Sequence, residues 1–303
     1  MHMSVKPAQA RAAASAPRTQ PKRVMDGTGP AMIMGRLSGA SLPQLRLQSF
    51  TIFMYMKTMN RMSPAPGTSA DTPAPRGFAH VDAWIFDLDN TLYSHEAQVW
   101  PQVGQRITRF LAETFDLDGI SARALQKYYY HRHGTTLRGL MEEHGMDPTD
   151  FLAFVHDVDL SLLPANERLA AAIGALPGRK LIFTNGSARH AENICRKLGL
   201  DSHFCGYFDI VAADFIPKPE QGAYDMLLAR YDVDPARAAF FEDMARNLAP
   251  AHALGMTTAL VLPATPDPYR EPFEQAREEL AHVDHITDDL SGFLEGVIAD
   301  SND

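Results

Sequence analysis

The chain has 303 residues, of which 45% are hydrophobic, so it can bury a core in one large domain or two smaller ones. Its formal net charge of −9 argues against a nucleic-acid-binding protein that relies on phosphate contacts, because both partners would be negative. The two cysteines, Cys195 and Cys205, fit no metal or redox spacing. A reduced, cytoplasmic chain is therefore the simplest expectation.

Residues 1–79 differ in composition from the rest of the chain. They hold ten of the 28 Lys and Arg residues but two of the 37 Asp and Glu residues, which leaves 18 basic and 35 acidic residues beyond them. The stretch shows no sustained period and ends in a Pro/Gly/Ser-rich segment, so we expect a disordered tail and linker. A start assigned too far upstream and an Arg-rich organellar presequence are the alternatives. No apolar run approaches the roughly 20 residues needed to span a membrane.

From residue 80 short apolar runs alternate with helical patterns. Five runs are predicted as buried parallel strands, at 83–87, 180–185, 208–214, 238–243 and 257–262. Amphipathic patterns between the later runs predict helices at 188–200, 220–233 and 247–256. The alternation predicts a Rossmann-like α/β fold, a three-layer arrangement with helices on both faces of a parallel sheet. The acidic region 264–303 is expected to add a last short strand and a closing helix.

A long helical segment separates the first predicted strand from the second. It contains five helix-like patterns, and Pro148 stands at the first turn of one of them. We therefore expect an all-α cap domain over residues 96–176, inserted into a core formed by 80–95 and 177–303. An insert of this size is large enough to act as a lid.

Polar residues end several predicted strands, where ligands bind in doubly wound sheets. Asp87, Asp89 and Thr91 follow the first strand, and further groups follow the others: Thr184, Lys218, Glu242 and Asp243. Because the carboxyl ends of parallel strands meet at one edge, we expect these groups to lie together. Carboxylate oxygens favour Mg²⁺, whose charge would offset the repulsion between the acids.

This set of groups suits phosphoryl transfer. One Asp can attack phosphorus, and the Asp two residues away can act as general acid toward the leaving oxygen and then as base toward water. Mg²⁺ and Lys218 can stabilise charge on the transferring phosphoryl group.

The segments DLDNTL, TNG, PKP and FED, in this order within residues 80–262, resemble the motifs of the haloacid dehalogenase (HAD) superfamily of aspartate-nucleophile phosphatases. The resemblance implies that Asp87 is the nucleophile and Asp89 the general acid/base. It also implies that Thr184 and Lys218 hold the phosphate and the charged nucleophile. The implied Mg²⁺ ligands are Asp87, the main-chain carbonyl of Asp89, and Asp243.

The resemblance also favours one branch of the superfamily. True dehalogenases lack the second Asp, so Asp89 favours phosphate over halide chemistry. Segments 128–160, 183–200 and 240–256 are similar to pyrimidine 5′-nucleotidases, which implies hydrolysis of UMP or CMP. The main-chain N–H groups after Asp87 and Thr184 can form a phosphate cradle, so Leu88, Asn185 and Gly186 are assigned to substrate binding. The same similarity assigns His133, Thr135, Thr136 and Arg138 to substrate binding, and His156 is assigned to it as a residue at the edge of the cap. Glu242 and Asn247 depart from the residues common in the superfamily and are given a supporting role.

Other functions stay open at this point. A HAD phosphatase for phosphoglycolate, sugar phosphates or a broad metabolite set would use the same chemistry, as would a phosphomutase. A non-catalytic phosphate-binding or scaffold protein is the alternative of another class. We expect a small-molecule phosphomonoester as the partner, with no nucleic acid and no membrane, and the oligomeric state stays open. Tyr128–Tyr130 are interpreted as cap packing and His190 as a surface or helix-capping residue.

Overall fold

The structure is a computed structural model and describes residues 76–270 and 280–300. The predicted tail and linker, apart from residues 76–79, lie outside these residues. None of the helices in the two described ranges is long and apolar enough to cross a membrane.

The described residues form one six-stranded sheet in which every neighbouring pair of strands is parallel. Its strand order is β3–β2–β1–β4–β5–β6. The strands are β1 Ala83–Phe86, β2 Arg179–Phe183, β3 Gly206–Phe208, β4 Ala238–Glu242, β5 Thr257–Val261 and β6 His285–Thr287. The central strands β1, β4 and β5 are buried along their whole length, as expected for parallel strands covered on both faces. The predicted Rossmann-like sheet is therefore confirmed.

The strand predicted at 208–214 is wrong in its position. The observed β3 ends at Phe208, and the following residues form turns. The side chain of Asp209 accepts hydrogen bonds from the main-chain N–H groups of Ala188, at 2.8 Å, and Ala212, at 2.9 Å. An Asp that bonds neighbouring main-chain groups in this way offers the backbone an alternative to the sheet.

The described residues contain nine α-helices, four of which lie between β1 and Asp157. These four are α1 Val99–Phe115, α2 Gly119–His133, α3 Thr136–His144 and α4 Pro148–Val155. Side chains of Asp118, Thr135 and Asp147 cap the N-termini of α2, α3 and α4. The helices share their own apolar cluster, which includes Leu111, Tyr129, Leu140, Phe151 and Val155. We call α1–α4 the helical insert.

The next helix, α5 Glu167–Ala175, packs differently from the insert. Its apolar residues Leu169 and Ile173 belong to the cluster that contains Trp84 of β1. Arg168 also forms ion pairs with Glu295 and Asp289 near the C-terminus of the described chain. The predicted cap boundary at 176 stays a prediction, and these contacts favour an insert that ends before α5.

The remaining helices cover the two faces of the sheet. They are α6 Ala188–Leu198, α7 Gln221–Tyr231, α8 Ala245–Leu254 and α9 Leu290–Asp300. Side chains of β1 alternate between the faces, so that Trp84 and Phe86 pack with α5, α6 and α9, whereas Ile85 packs with α7 and α8. This is the predicted three-layer arrangement. It leaves the carboxyl ends of β1, β2 and β4 at one edge of the sheet.

Candidate active site

Asp87 is the first residue after β1 and is only 6% exposed. Its main-chain N–H continues the sheet by donating to the Phe241 carbonyl at 2.9 Å. The Nζ of Lys218 donates to Asp87 Oδ1 at 2.6 Å, and Thr91 Oγ1 donates to Oδ2 at 3.0 Å. The strand therefore fixes the Asp87 main chain, and two donors fix its carboxylate.

Lys218 enters the site from the loop that precedes α7. Asn185 holds this loop, because its Oδ1 accepts from Lys218 N–H at 2.8 Å and its Nδ2 donates to the Lys218 carbonyl at 3.3 Å. The Nζ of Lys218 also donates to the Phe183 carbonyl at 2.9 Å and to Glu242 Oε1 at 3.2 Å. Burial alone would lower the Lys218 pKa, but the attraction of Asp87 and Glu242 outweighs it and raises this pKa.

Three buried carboxylates, Asp87, Glu242 and Asp243, place oxygen atoms within 4.8 Å of one another. Burial and the charge of Glu242 raise the pKa of Asp87 to about 7 and that of Asp243 well above its usual value. Lys218 and Arg270 supply two positive charges beside these three carboxylates. The excess of negative charge and the hard oxygen donors fit a divalent cation such as Mg²⁺.

Glu242, whose role the sequence left uncertain, holds several neighbours in place. Its Oε2 accepts from the Asp243 N–H at 2.7 Å, and its Oε1 accepts from Lys218 and from Asn247 Nδ2. Among the described residues the buried Asn247 Oδ1 has no hydrogen-bond partner. Asn247 therefore presents a further oxygen acceptor beside the acid cluster.

Arg270 also reaches this cluster. Its Nη2 donates to Asp243 Oδ2 and, at 3.2 Å, to the Asp243 main-chain carbonyl. This contact lowers the pKa of Asp243, but burial and Glu242 outweigh it. Sequence reasoning gave Arg270 no role, because it follows no predicted strand.

Asp89 lies two residues after Asp87 in the loop that follows β1, and its side chain is hydrogen-bonded to Tyr93 and His190. Tyr93 OH donates to Asp89 Oδ1, and His190 Nε2 lies 2.9 Å from the same oxygen. Burial would raise the Asp89 pKa, but the attraction of His190 and the two hydrogen bonds lower it below its usual value. In the free protein Asp89 is therefore ionised at neutral pH.

Thr184 ends β2 at the same edge and is 2% exposed. Its Oγ1 accepts from the Gly186 N–H at 2.9 Å. A Cβ at Gly186 would lie 3.2 Å from Thr184 Oγ1, 3.4 Å from the His190 ring and 3.5 Å from the His156 ring. A side chain at this position would be tight against Thr184 Oγ1, whereas the two ring distances are those of ordinary van der Waals contacts.

A cavity of about 830 Å³ lies between the helical insert and this edge of the sheet. On the sheet side it is lined by Asp87, Asp89, Thr184, Asn185, Gly186, Lys218, Glu242, Asp243 and Asn247. On the insert side Trp100, Tyr130, Thr135, Thr136 and His156 contribute to its lining. The residues predicted from the sequence as catalytic and metal-binding thus face one cavity.

Two predicted substrate ligands, His133 and Arg138, are engaged elsewhere, and a third, Leu88, is assigned to substrate binding through its main-chain N–H and not through its side chain. The Leu88 side chain is fully buried in the cluster around Trp84. His133 lies between Glu142 and Glu143, and Arg138 forms ion pairs with Glu142 and Glu220. None of the three lines the cavity within the described residues, so their assignment to substrate binding stays a prediction without support from this geometry.

The interpretation of His190 as a surface or capping residue is wrong, since this residue is only 1% exposed. It lies on α6 with Ala191, Ile194 and Leu198, which are also buried. The spacing of His190 from Ile194 and Leu198 places it on the apolar face of the helix. This spacing is the signal by which the sequence could have revealed a buried histidine.

Comparison with known proteins gives the family. The family model described as "Hydrolase: haloacid dehalogenase-like hydrolase" matches residues 81–255. Phosphate metabolism protein 8 of Saccharomyces cerevisiae is 24% identical over 233 residues, which cover 71% of this chain and 70% of that protein.

Solved structures with a similar chain include L-2-haloacid dehalogenase from Xanthobacter autotrophicus, with 18% identity and a TM-score of 0.46 over 72% of this chain and 98% of that one. CbbY from Rhodobacter sphaeroides in complex with phosphate has 20% identity and a TM-score of 0.47 over 70% of this chain and 95% of that one. The family match spans more than half of the sequence. The chain belongs to the haloacid dehalogenase-like hydrolases.

Proposed function

We propose that this hydrolase is a phosphatase that cleaves small phosphomonoesters through an aspartyl-phosphate intermediate on Asp87. The observation that carries the proposal is the pairing of a buried, donor-held Asp87 with a second carboxylate, Asp89, at the same cavity. A family member that removes halide has no need of a second acid to protonate its leaving group.

The protein's own residues supply the nucleophile and the proton. Asp89, which is ionised in the free protein, must first take up a proton from solvent. An Asp87 oxygen then forms a bond to phosphorus as the bond from phosphorus to the leaving oxygen breaks, and Asp89 gives that oxygen its proton. Asp89 then takes a proton from water as the water oxygen bonds to phosphorus and the Asp87–phosphorus bond breaks. The products are an alcohol and phosphate, and both aspartates return to their starting state.

The acid cluster is the proposed Mg²⁺ site, with the Asp87 and Asp243 carboxylates and the Asp89 main-chain carbonyl as ligands. When bound, Mg²⁺ would neutralise charge on the phosphoryl oxygens. Lys218 would contribute a second positive charge beside Asp87, and Thr184 with the following main-chain N–H groups would hold phosphate oxygens. Glu242 would keep Lys218 charged and in position.

The substrate we propose is a pyrimidine nucleoside 5′-monophosphate such as UMP or CMP. The cavity supports this choice because it offers aromatic rings, Trp100 and Tyr130, together with polar groups on Thr135, Thr136 and His156. A phosphorylated substrate also agrees with the name of the yeast relative, Phosphate metabolism protein 8. Base stacking on aromatic rings and hydrogen bonds to base edges are the usual means of binding a nucleobase.

The test is phosphate release by the full chain with Mg²⁺ from UMP, CMP, AMP, GMP, phosphoglycolate and glucose 6-phosphate. We expect UMP and CMP to exceed the other substrates by about tenfold in kcat/KM, a difference of about 1.4 kcal/mol. Asp87→Asn is the blank, because an amide cannot form the aspartyl phosphate, and its far-UV circular dichroism should match that of the unaltered chain.

The other outcomes are distinct. A flat profile, or one led by phosphoglycolate or a sugar phosphate, would keep the phosphatase and reject the pyrimidine substrate. Release that persists in Asp87→Asn would reject Asp87 as the nucleophile. No release from any phosphomonoester would reject the phosphatase itself.

A further inference from the structure

The carboxylate of Asp89 is held through one of its two oxygens. Tyr93 OH and His190 Nε2 both bond Oδ1. Within residues 76–270 and 280–300 no donor reaches Oδ2. Asp89 lines the cavity that contains Asp87, and Oδ2 is the oxygen that the described residues leave without a hydrogen bond.

This one-sided arrangement determines where a proton on Asp89 can lie. Beside the ionised Asp89, whose Oδ1 can only accept, both the Tyr93 hydroxyl and His190 Nε2 must donate. Oδ1 is an acceptor when the carboxyl group is ionised and remains one when the proton is on Oδ2. A proton on Oδ1 would compete with both donors. The two hydrogen bonds therefore direct the acidic proton to Oδ2.

His190 can hold this position because it is itself fixed on both sides. Its backbone belongs to the first turn of α6, where the His190 N–H donates to Ser187 Oγ at 3.3 Å. The ring of His156 stacks on the His190 ring, with centroids 4.5 Å apart and planes inclined by 20°.

His156 directly follows α4 as its C-cap residue, so we count it with the helical insert. Its Nδ1 lies 3.0 Å from Ser187 Oγ, the side chain that also caps α6. Burial and the neighbouring His190 lower the pKa of His156 to about 3, so its ring is neutral where it covers His190. The insert therefore contacts the histidine that bonds Asp89.

We propose that His190 is a positioning residue that fixes Asp89 with Oδ2 toward the leaving oxygen, and that His156 of the insert holds the His190 ring in place. The inference rests on the proposed phosphatase activity and concerns its proton-transfer step. In that step the phosphorus–oxygen bond of the substrate breaks and the proton moves from Asp89 Oδ2 to the departing oxygen. Correct seating of the insert then becomes a condition for protonating the leaving group.

The experiment compares two esters that differ in their need for that proton. The 4-nitrophenolate of 4-nitrophenyl phosphate leaves without much protonation, whereas the alkoxide of 2-glycerol phosphate needs it. The variants are His190→Phe, which keeps a ring and removes the donor, and His190→Gln, whose Nε2 can donate from a similar distance. His80→Phe, at an exposed residue, is the matched control, and circular dichroism checks the fold of each variant.

General acid catalysis contributes about 10²–10⁴-fold, so a misplaced acid should show mainly with the alkyl ester. For His190→Phe we expect kcat on 2-glycerol phosphate to fall by about 30-fold or more and kcat on 4-nitrophenyl phosphate by about threefold or less. His190→Gln should recover most of the loss, and His80→Phe should match the unaltered chain. His156→Ala should lower kcat on the alkyl ester more than on the aryl ester, and this difference between the two esters should be smaller in His156→Phe, which keeps a stacking ring.

Each contrary result has its own meaning. An equal fall on both esters in His190→Phe, or no recovery in His190→Gln, would reduce His190 to a packing residue and overturn the inference while leaving the phosphatase intact. Equal rates for His156→Ala and the unaltered chain would overturn the part played by the insert. No release from either ester by the unaltered chain would overturn the proposed activity and this inference with it.

Discussion

Asp87 lies in an environment that opposes the charge its proposed role requires. Lys218 is 3% exposed and lies between Asp87 and Glu242, so a single buried cation serves both carboxylates. Burial and Glu242 raise the Asp87 pKa to about 7 in the absence of metal. The Asp87 and Glu242 carboxylates therefore repel each other in the metal-free protein, and a bound cation would relieve this repulsion.

This repulsion predicts how stability depends on pH without metal. An unfolded Asp87 ionises near its usual pKa of 3.8, and the folded one near 7. Well below pH 4 Asp87 is protonated in both states, and its contribution to the free energy of unfolding is fully present. As the pH rises from about 4 to about 7, the unfolded state ionises while the folded state stays protonated, so the free energy of unfolding falls. Asp87→Asn removes the ionisation, so in EDTA at pH 8 it should raise the free energy of unfolding by about 2–4 kcal/mol.

The gain should shrink steadily as the pH falls toward 4. Urea unfolding followed by circular dichroism at several pH values measures it. Mg²⁺ should stabilise the unaltered chain more than Asp87→Asn, because binding to the folded state alone adds stability. A variant less stable than the unaltered chain at pH 8 would show that the Lys218–Asp87 pair outweighs the repulsion between the acids.

At the scale of elements, the helical insert depends on a close contact between α2 and α3. Gly139 of α3 lies against Tyr129 of α2, which is 1% exposed. A Cβ built at Gly139 would lie 2.5 Å from Tyr129 Cδ1 and 2.8 Å from Tyr129 Cβ. Tyr129 cannot move away freely because it is packed with Leu140 and Phe151.

We therefore expect Gly139→Ala to destabilise the protein by about 1–3 kcal/mol, the usual cost of overfilling a packed contact. The matched control is Gly296→Ala in α9, where a Cβ would meet nothing within 4 Å. That substitution should stabilise the protein by about 0.5–1 kcal/mol, because alanine loses less backbone entropy in a helix. Thermal unfolding of the two variants measures the contrast, and a similar stabilisation in both would show that α2 and α3 can move apart.

The sequence predicts elements best where their local pattern matches their final packing. Continuous apolar runs predict β1, β4 and β5 because these strands are covered on both faces. The error at β3 arises because Asp209, the polar residue that follows the strand, bonds the main-chain N–H of Ala188 at the start of α6, which lies 21 residues earlier in the chain. A contact between residues so far apart leaves no local pattern.

The same reason separates the predictable part of the site from the rest. Asp87, Thr184, Lys218 and Asp243 follow strands or precede a helix, so the topology alone brings them together. The His190–Asp89 contact joins residues 101 positions apart, and the Arg270–Asp243 contact joins residues 27 positions apart. Such partners depend on the packing of whole helices and loops, which motif spacing does not specify.

On the scale of the whole molecule, the insert contacts the core beside the catalytic loops. Arg138 of α3 pairs with Glu220, two residues after Lys218. Tyr130 of α2 accepts a hydrogen bond from Arg246, three residues after Asp243. Together with the His156–His190 stacking, these contacts connect the position of the insert to three parts of the proposed site.

The Arg138–Glu220 pair allows a test between two interpretations of Arg138. The side chains are 28% and 47% exposed, so the pair should contribute at most about 1 kcal/mol. Arg138→Glu should raise KM by about fivefold or less through repulsion from Glu220. Adding Glu220→Arg should return KM to within about twofold of the original value, because the attraction is restored with opposite signs. A double variant as impaired as the single one would indicate that Arg138 contacts the substrate, as the family resemblance implies.

The choice of substrate depends on the cavity as a whole. One of the two tryptophans lines the cavity and the other is buried in the core, so substitutions and fluorescence can report on the cavity separately from the fold. Trp84 is 1% exposed within the core, whereas Trp100 is 42% exposed and lines the cavity. A pyrimidine that stacks on Trp100 should gain about 1–3 kcal/mol, so Trp100→Ala should raise KM for UMP by about tenfold or more and leave KM for 2-glycerol phosphate within about twofold. Trp100→Phe should keep most of the affinity because it keeps an aromatic face.

Quenching of tryptophan fluorescence by UMP in metal-free Asp87→Asn should disappear when Trp100 is also replaced, since Trp84 is shielded from the cavity. Equal changes in KM for both esters would mean that Trp100 shapes the cavity without contacting a base, and the pyrimidine proposal would then lose its main structural support.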